Sequence, residues 1–222
     1  MEMNHKYIEK IDSFENETIY IKSCFAAMRT LAAKPNVVAN TADEKSSVLE
    51  RNYILSLVYN MGKADYLREN KDIVIDSGPY LVGGETNKLI PVLDASAKTT
   101  SKDLCFKIKD NKIEVIPDLV IHNSHRPEAG LSVEGQYLAL EAKTSKHLGQ
   151  YYFNRDFFKL NLYLDGLHFQ NVVFMVINKS ASTIDDYIGT YLKKDYYQYY
   201  DMKSKLRLFI QENGVPEMYK LK

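Results

Sequence analysis

The chain of 222 residues has little cysteine and no net charge, and both shortages limit what kind of protein it can be. Cys24 and Cys105 are its two cysteines, and both lie among apolar neighbours. This setting favours buried, reduced thiols over a disulfide and excludes a scaffold held by several disulfides. The 29 basic and 29 acidic residues cancel. The overall charge therefore gives no support to non-specific nucleic-acid binding, although it leaves room for a local basic face.

Long apolar runs, nucleotide-binding glycine motifs and internal repeats are also absent. No run approaches the length that crosses a membrane, and the segment MEMNHKYIEK has no apolar core of the kind found in signal sequences. Neither a P-loop nor a dinucleotide-binding glycine pattern occurs. We therefore expect a cytoplasmic protein without a membrane partner, folded as a single domain over residues 1–222.

Two short apolar runs in the middle of the chain carry acidic residues, and the second also carries a lysine. Residues 113–121 contain Pro-Asp at Asp118, and residues 137–143 end in Glu141-Ala-Lys143. Strand alternation places Glu141 and Lys143 on one face of the second run. The residues that share this face are Tyr137 and Ala139, and those on the other face are Leu138, Leu140 and Ala142. If the two strands pair, two carboxylates and a backbone carbonyl form an oxygen site that suits Mg²⁺, beside a lysine that can orient or help deprotonate a water.

This pattern, Pro-Asp followed after a loop by Glu-X-Lys, resembles the PD-(D/E)XK nuclease superfamily. The helix candidate around Asp156 to Tyr163 and the apolar strand NVVFMVI are similar to the elements that follow the motif there. Over residues 43–178 the resemblance implies an α/β, restriction-endonuclease-like core with the order αβββαβ. Its mixed central sheet is expected to be flanked by helices. An N-terminal helical extension (1–42) and a C-terminal helical segment (179–222) would complete the domain.

The resemblance also implies a set of site residues. Asp118, Glu141, the Ala142 carbonyl and Glu50 would bind Mg²⁺, with Mn²⁺ as a possible substitute, and Lys143 would position the attacking water. Asp118, Glu141 and Lys143 would thus be the catalytic group. The substrate phosphate would be contacted by basic residues of the next loop and helix: Lys146, Arg155 and Lys159. Exposed helix charge remains the alternative for the two helical residues.

Several other polar residues have a structural alternative to a site role. Glu50 shares a helical stripe with apolar residues, so a pair with a neighbouring basic side chain explains it as well as a metal does. His122 and His125 lack accompanying cysteines and zinc spacing, which disfavours zinc. The lysine-rich residues 98–112 fit a solvated strand face better than a phosphate-binding surface. The tyrosines of residues 187–200 fit helical packing better than stacking on bases.

The periodicity predicts a central sheet of four or five strands. Helix 43–63 is expected on one face, opened by a capping box at residues 41–44, and helix 154–165, capped by Asn154, on the other side or edge. The other predicted helices are 17–34, the segment from 182 onward, and 201–213. The predicted strands outside the motif are 72–76, 79–82, 104–108, 113–116 and 171–177, with a hairpin at Asp110-Asn111.

The sequence thus predicts a metal-dependent endonuclease, a hydrolase that cleaves nucleic acid through an activated water, with DNA favoured over RNA as partner. The alternative is a catalytically silent member of the same fold that binds nucleic acid or protein. A homodimer is left open.

Overall fold

We analysed a computed structural model, which describes residues 5–33, 46–63, 67, 72–77, 88–92, 94–123, 135–145 and 147–222. The helices in these segments are α1 (Ile19–Ala32), α2 (Ser46–Met61), α3 (Ala95–Asp103), α4 (Gln150–Gly166), α5 (Ala181–Lys193) and the single turn α6 (Met202–Lys205). The strands are β1 (Ile8–Lys10), β2 (Ile73–Asp76), β3 (Lys88–Pro91), β4 (Ile108–Lys109), β5 (Lys112–Val115), β6 (Leu119–Asn123), β7 (Gln136–Lys143), β8 (Asn171–Ile177), β9 (Leu206–Glu212) and β10 (Val215–Leu221). None of the helices in this described part of the chain is long and apolar enough to cross a membrane.

The main sheet is mixed and has the strand order β1-β10-β9-β8-β7-β6-β2. Strands β7, β8 and β9 run parallel, and the pairs on either side of them are antiparallel. The apolar run predicted over residues 113–121 is split: its first half forms β5 in a second sheet, and its second half forms β6, which neighbours β7 with Leu119 opposite Leu140. The predicted pairing of these strands and the parallel pairing of β7 with β8 across a helix are both confirmed.

Helices cover both faces of this sheet because the central strands are apolar on both sides. Along β8, Val173, Met175 and Ile177 pack with α1 and α2. The alternate residues Val172, Phe174 and Val176 pack with α4 and α5. The prediction that the helix over residues 43–63 and the helix near residue 160 lie on opposite faces is therefore confirmed.

A small antiparallel sheet, β3-β5-β4, lies beside the main one. The predicted hairpin at Asp110-Asn111 is confirmed, and both residues have positive φ (50° and 57°), as a two-residue type I′ turn requires. The strand predicted over residues 104–108 is wrong, because Leu104 and Cys105 form the turn after α3. Cys105 is consequently exposed, whereas Cys24 is buried as expected.

The chain termini contribute strands rather than helical extensions alone. The predicted helix over residues 201–213 is wrong, since only Met202–Lys205 is helical before β9 begins. Asn213 and Gly214 form a tight turn into β10, and β10 in turn pairs with β1 near the N-terminus. The main sheet thus has seven strands among the described residues instead of four or five. The helix predicted from residue 182 is confirmed as α5, which ends at Lys193.

Two local details also differ from the sequence prediction. The helix α4 begins at Gln150, after Gly149, so Asn154 lies inside the helix and is not its N-cap. A β-bulge between Ile121 and His122 leaves Tyr137 without an opposite residue on β6. The Tyr137 ring stacks on Tyr20 of α1, with ring centroids 4.5 Å apart. The capping box at residues 41–44 and the strand at 79–82 lie outside the described residues.

Candidate active site

Asp118 lies immediately before β6, beside the last residues of β7. Its backbone N–H donates to the Leu140 carbonyl at 3.0 Å, and its Oδ2 accepts a hydrogen bond from the Ala142 N–H at 2.8 Å. These two bonds fix the carboxylate against the Glu-X-Lys segment. Strand pairing therefore brings together motif residues that are more than twenty positions apart in the sequence.

Glu141 is fully buried and its carboxylate is held by helix α4. The Tyr163 hydroxyl donates to Oε1, and the Lys159 ammonium donates to Oε2. Residues 159 and 163 are one helical turn apart, so both project from one face of α4 toward the sheet. Each oxygen of Glu141 thus has a partner from this helix.

Lys143, the last residue of β7, connects the two helical layers. Its Nζ lies 3.2 Å from Glu50 Oε1 on α2 and 3.3 Å from Asp156 Oδ2 on α4. Asp156 also pairs with Lys159, at 2.9 Å. Since α2 and α4 pack on opposite faces of the sheet, the ammonium at the strand end joins side chains from both faces.

Four carboxylates surround two ammonium groups in this cluster, which leaves an excess of two negative charges when all six are ionised. Burial raises the pKa of Glu141 to about 8, against the Lys159 charge, and the neighbouring Asp118 adds to the effect. Burial likewise raises the pKa of Asp118 and of Glu50 above their usual values. The cluster therefore holds more carboxylate than its two lysines neutralise.

The same charges shift the pKa values of the two lysines and of Asp156. Burial alone would lower the pKa of Lys143 and Lys159, but the surrounding carboxylates outweigh it and raise both values. Burial alone would raise the pKa of Asp156, but the two lysines outweigh it and hold that pKa below its usual value. Both lysines thus stay protonated at neutral pH, and Asp156 stays ionised.

The donor set suits a hard divalent cation in charge and in chemistry, because it offers buried carboxylates with an excess of two negative charges. In the described ranges, however, no three His, Cys, Asp or Glu side chains converge as a group that could hold a metal ion. Both oxygens of Glu141 already accept hydrogen bonds, from Lys159 and Tyr163.

The other predicted site residues are not all near the cluster. Arg155 lies on α4 with its guanidinium 4.7 Å from the centre of the Phe106 ring, outside the ion pairs that link the lysines and carboxylates of the cluster. Lys146 and His125 lie outside the described residues. His122 Nε2 pairs with Asp76 at 2.8 Å and Nδ1 contacts the Asn123 carbonyl, so its partners belong to strands β2 and β6.

Asp156 and Tyr163 belong to the cluster, and the sequence prediction gave neither of them a site role. The signal was present, because residues 156, 159 and 163 recur at helical spacing and form a polar stripe on an otherwise apolar helix. What the sequence did not supply was the direction of that stripe. The structure turns it toward the sheet, where both side chains are buried.

Comparisons of the chain with protein-family models, with curated proteins and with solved structures found no match.

Proposed function

We propose that this protein is a metal-dependent nuclease that hydrolyses phosphodiester bonds, as its resemblance to the PD-(D/E)XK superfamily implies. The observation that carries the proposal is the convergence of Asp118, Glu141 and Lys143 with Glu50 at the end of β7. These residues come from three distant parts of the sequence and share one network of charge. A structural ion pair needs one acid and one base, whereas this cluster keeps an unneutralised excess of acid.

Mg²⁺, with Mn²⁺ as substitute, would be held by Asp118, Glu141, the Ala142 carbonyl and Glu50. When bound, the ion would supply positive charge to the scissile phosphate and lower the pKa of a nearby water. In the reaction, the water loses a proton to solvent and its oxygen forms a bond to phosphorus while the bond to the leaving oxygen breaks. The leaving oxygen then takes up a proton from solvent.

Lys143 orients the water and is not the base that deprotonates it. The carboxylates around this lysine keep its ammonium protonated, so it can donate a hydrogen bond but cannot accept a proton. Its contacts on both sides, with Glu50 and Asp156, hold the ammonium in one place. Such fixed positioning is what aiming a nucleophile requires.

Lys159 holds Glu141 in the absence of substrate and becomes available when a cation takes over that carboxylate. It could then contact the scissile phosphate, as the sequence resemblance implies for this position. DNA remains the favoured partner over RNA, as the superfamily resemblance implies. The cluster itself would contact only phosphate, which DNA and RNA share.

The test combines a cleavage assay with calorimetry. Wild-type protein with Mg²⁺ or Mn²⁺ is incubated with plasmid, single-stranded DNA and RNA, beside the variants Asp118→Ala and Lys143→Ala. We expect Asp118→Ala to abolish cleavage and weaken Mg²⁺ binding. Lys143→Ala should retain metal binding and lose at least about 10²-fold in turnover, as expected when the nucleophile is no longer positioned.

The exposed Asp186→Ala is the matched control for loss of an acidic residue, and it should cleave like wild type. Full activity of Asp118→Ala would contradict the proposal, because the cleavage would then belong to other residues or to a contaminant.

A catalytically silent binding protein is the second candidate, and one observation favours it. Both oxygens of Glu141 are already satisfied by Lys159 and Tyr163, so the cluster is closed without a metal. If the wild type binds no divalent ion at millimolar concentration and cleaves none of the three substrates, this candidate replaces the nuclease.

A further inference from the structure

Two adjacent tyrosines at the start of α4 expose much of their surface. Tyr151 is 42% exposed and Tyr152 is 62% exposed, and their ring centroids lie 5.5 Å apart at an angle of 74°. Large aromatic side chains are normally buried, so two neighbouring exposed rings mark a surface suited to binding a flat apolar partner. We call these two residues the tyrosine patch.

The tyrosine patch lies next to the candidate active site along the same helix. Tyr152 is four residues before Asp156 and seven before Lys159, so the three side chains follow one stripe of α4. One helical turn rises about 5.4 Å. The exposed ring of Tyr152 therefore lies about one helical turn from Asp156, the first residue of the carboxylate cluster on this helix.

Positive charge accompanies the exposed rings. The guanidinium of Arg155 lies between two aromatic rings, 5.9 Å from that of Tyr151 and 4.7 Å from that of Phe106. A guanidinium held against aromatic rings is ordered before any ligand arrives, which reduces the entropy lost on binding.

The lysine-rich segment, residues 98–112, is attached to the same side of α4. The Tyr151 hydroxyl donates to the Leu104 carbonyl at 3.2 Å, and Phe106 packs edge-on against Phe158. This segment contains five lysines and two aspartates, so it carries a net positive charge although the whole chain carries none. Its exposed lysines are Lys102, Lys107, Lys109 and Lys112.

We propose that the tyrosine patch binds unpaired bases of a single-stranded nucleic acid, while Arg155 and the lysine-rich segment contact its phosphates. The inference rests on the proposed function, since it names the substrate class that reaches the same site. Aromatic side chains stack on the faces of bases, and in a duplex those faces are covered by neighbouring base pairs. Exposed rings beside a basic segment therefore favour a single strand over a duplex.

Binding is measured by fluorescence anisotropy in EDTA, so that no cleavage occurs. The probes are a labelled oligothymidylate, an oligouridylate of the same length and a blunt DNA duplex. We expect the wild type to prefer single strands to the duplex. Tyr152→Ala should weaken single-strand binding by about 5- to 100-fold, the range of one base–aromatic stacking contact.

Tyr59→Ala is the matched control, because Tyr59 is 66% exposed and also lies beside a lysine, but belongs to α2 on the opposite face of the sheet. It should bind like wild type. Tyr152→Phe keeps the ring and should also bind like wild type. The salt dependence of affinity should be unchanged in Tyr152→Ala, because a stacking contact releases no counterions.

Equal affinities for Tyr152→Ala and Tyr59→Ala, tighter binding of the duplex, or no binding of either single strand would each overturn the inference. The two single-stranded probes distinguish DNA from RNA as the source of the strand. Single-strand binding that depends on Tyr152 without metal-dependent cleavage would support this inference and contradict the nuclease. Metal-dependent cleavage with unchanged binding by Tyr152→Ala would do the reverse.

Discussion

Two lysines lie among the four carboxylates of the candidate active site, and Lys159 is the one that pairs with Glu141. Its ammonium contacts Glu141 and Asp156, so a cation that approaches Glu141 must compete with a positive charge already in place. Lys143, by contrast, contacts Glu50 and Asp156 and leaves Glu141 to its neighbour. The two lysines therefore have separable effects on metal binding.

We expect Lys159→Met to bind Mg²⁺ and Mn²⁺ about tenfold more tightly than wild type, because the substitution frees an oxygen of Glu141 and removes a nearby positive charge. Isothermal titration calorimetry measures the dissociation constant directly. Lys112→Met, at an exposed position of β5, is the control and should leave the affinity unchanged. Unchanged or weaker affinity in Lys159→Met would show that Lys159 does not compete with the ion.

At the residue scale, the sequence and the family resemblance grouped Glu50, Asp118, Glu141 and Lys143, and the structure brings these four side chains together. Glu50 was recognisable because it interrupts an apolar stripe, and Ile54, Leu57 and Met61 of that stripe are indeed buried. Asp156 was not assigned to the site, since a polar stripe on a helix reads equally as a solvated face. The direction of such a stripe is decided by tertiary packing.

At the scale of elements, the backbone at the start of β1 is hydrogen-bonded to one buried carboxylate, in addition to the pairing of β1 with β10. Asp185 of α5 accepts three hydrogen bonds from backbone N–H groups of residues 6–8, at 2.8, 2.7 and 3.0 Å. These bonds attach the strand to a helix more than 170 residues later in the chain. The sequence around Asp185 does not predict this role.

Asp185→Ala should lower the free energy of unfolding by about 2–4 kcal/mol, because buried N–H groups lose a charged acceptor. Chemical denaturation followed by circular dichroism measures the change. The neighbouring Asp186 is exposed, and Asp186→Ala should change stability by less than about 0.5 kcal/mol. Equal stability of the two variants would show that β1 is held by its pairing with β10 alone.

The C-terminal hairpin shows how an element can be misassigned although its signal is present. Residues 206–212 read LRLFIQE, which is apolar enough on both faces to fit a helix as well as a buried strand. Asn213-Gly214 is a strong signal for a two-residue hairpin turn, and both residues have positive φ, 51° and 81°. Turn chemistry was therefore the better guide here than hydrophobic periodicity.

At the scale of the whole molecule, a mixed central sheet flanked by helices followed from the sequence, whereas the width of the sheet did not. The strands β1, β9 and β10 extend the sheet through pairings between the two ends of the chain. Such pairings leave no local pattern, since each strand is short and its partner is remote. The candidate site likewise joins both helical layers, so the ionisation of its side chains affects the free energy of unfolding of the whole fold.

The ionisation of these side chains makes the free energy of unfolding depend on pH in a defined direction. An acid with a raised pKa binds more protons in the folded state than in the unfolded state, so stability is lost as pH rises between the unfolded and folded values. For Glu141 this window runs from 4.5 to about 8, and the raised pKa values of Asp118 and Glu50 act in the same direction. The lowered pKa of Asp156 acts at more acidic pH, and the lysines titrate above the window.

We expect the wild type to lose stability from about pH 5 to about pH 8, and Glu141→Gln to lose less over the same range, because a neutral amide needs no compensating charge. If Mg²⁺ binds the ionised carboxylates of the folded state, as proposed, it should oppose the loss: at ten times its dissociation constant it would add about 1.4 kcal/mol. Its effect should therefore be larger near pH 8 than near pH 6. Denaturation with and without Mg²⁺ at these two pH values measures both effects, with Glu212→Gln, at an exposed position, as the control. If Mg²⁺ stabilises Glu141→Gln as strongly as wild type, Glu141 is not a ligand. The excess negative charge at the strand ends would then have to be balanced by some means other than a metal ion.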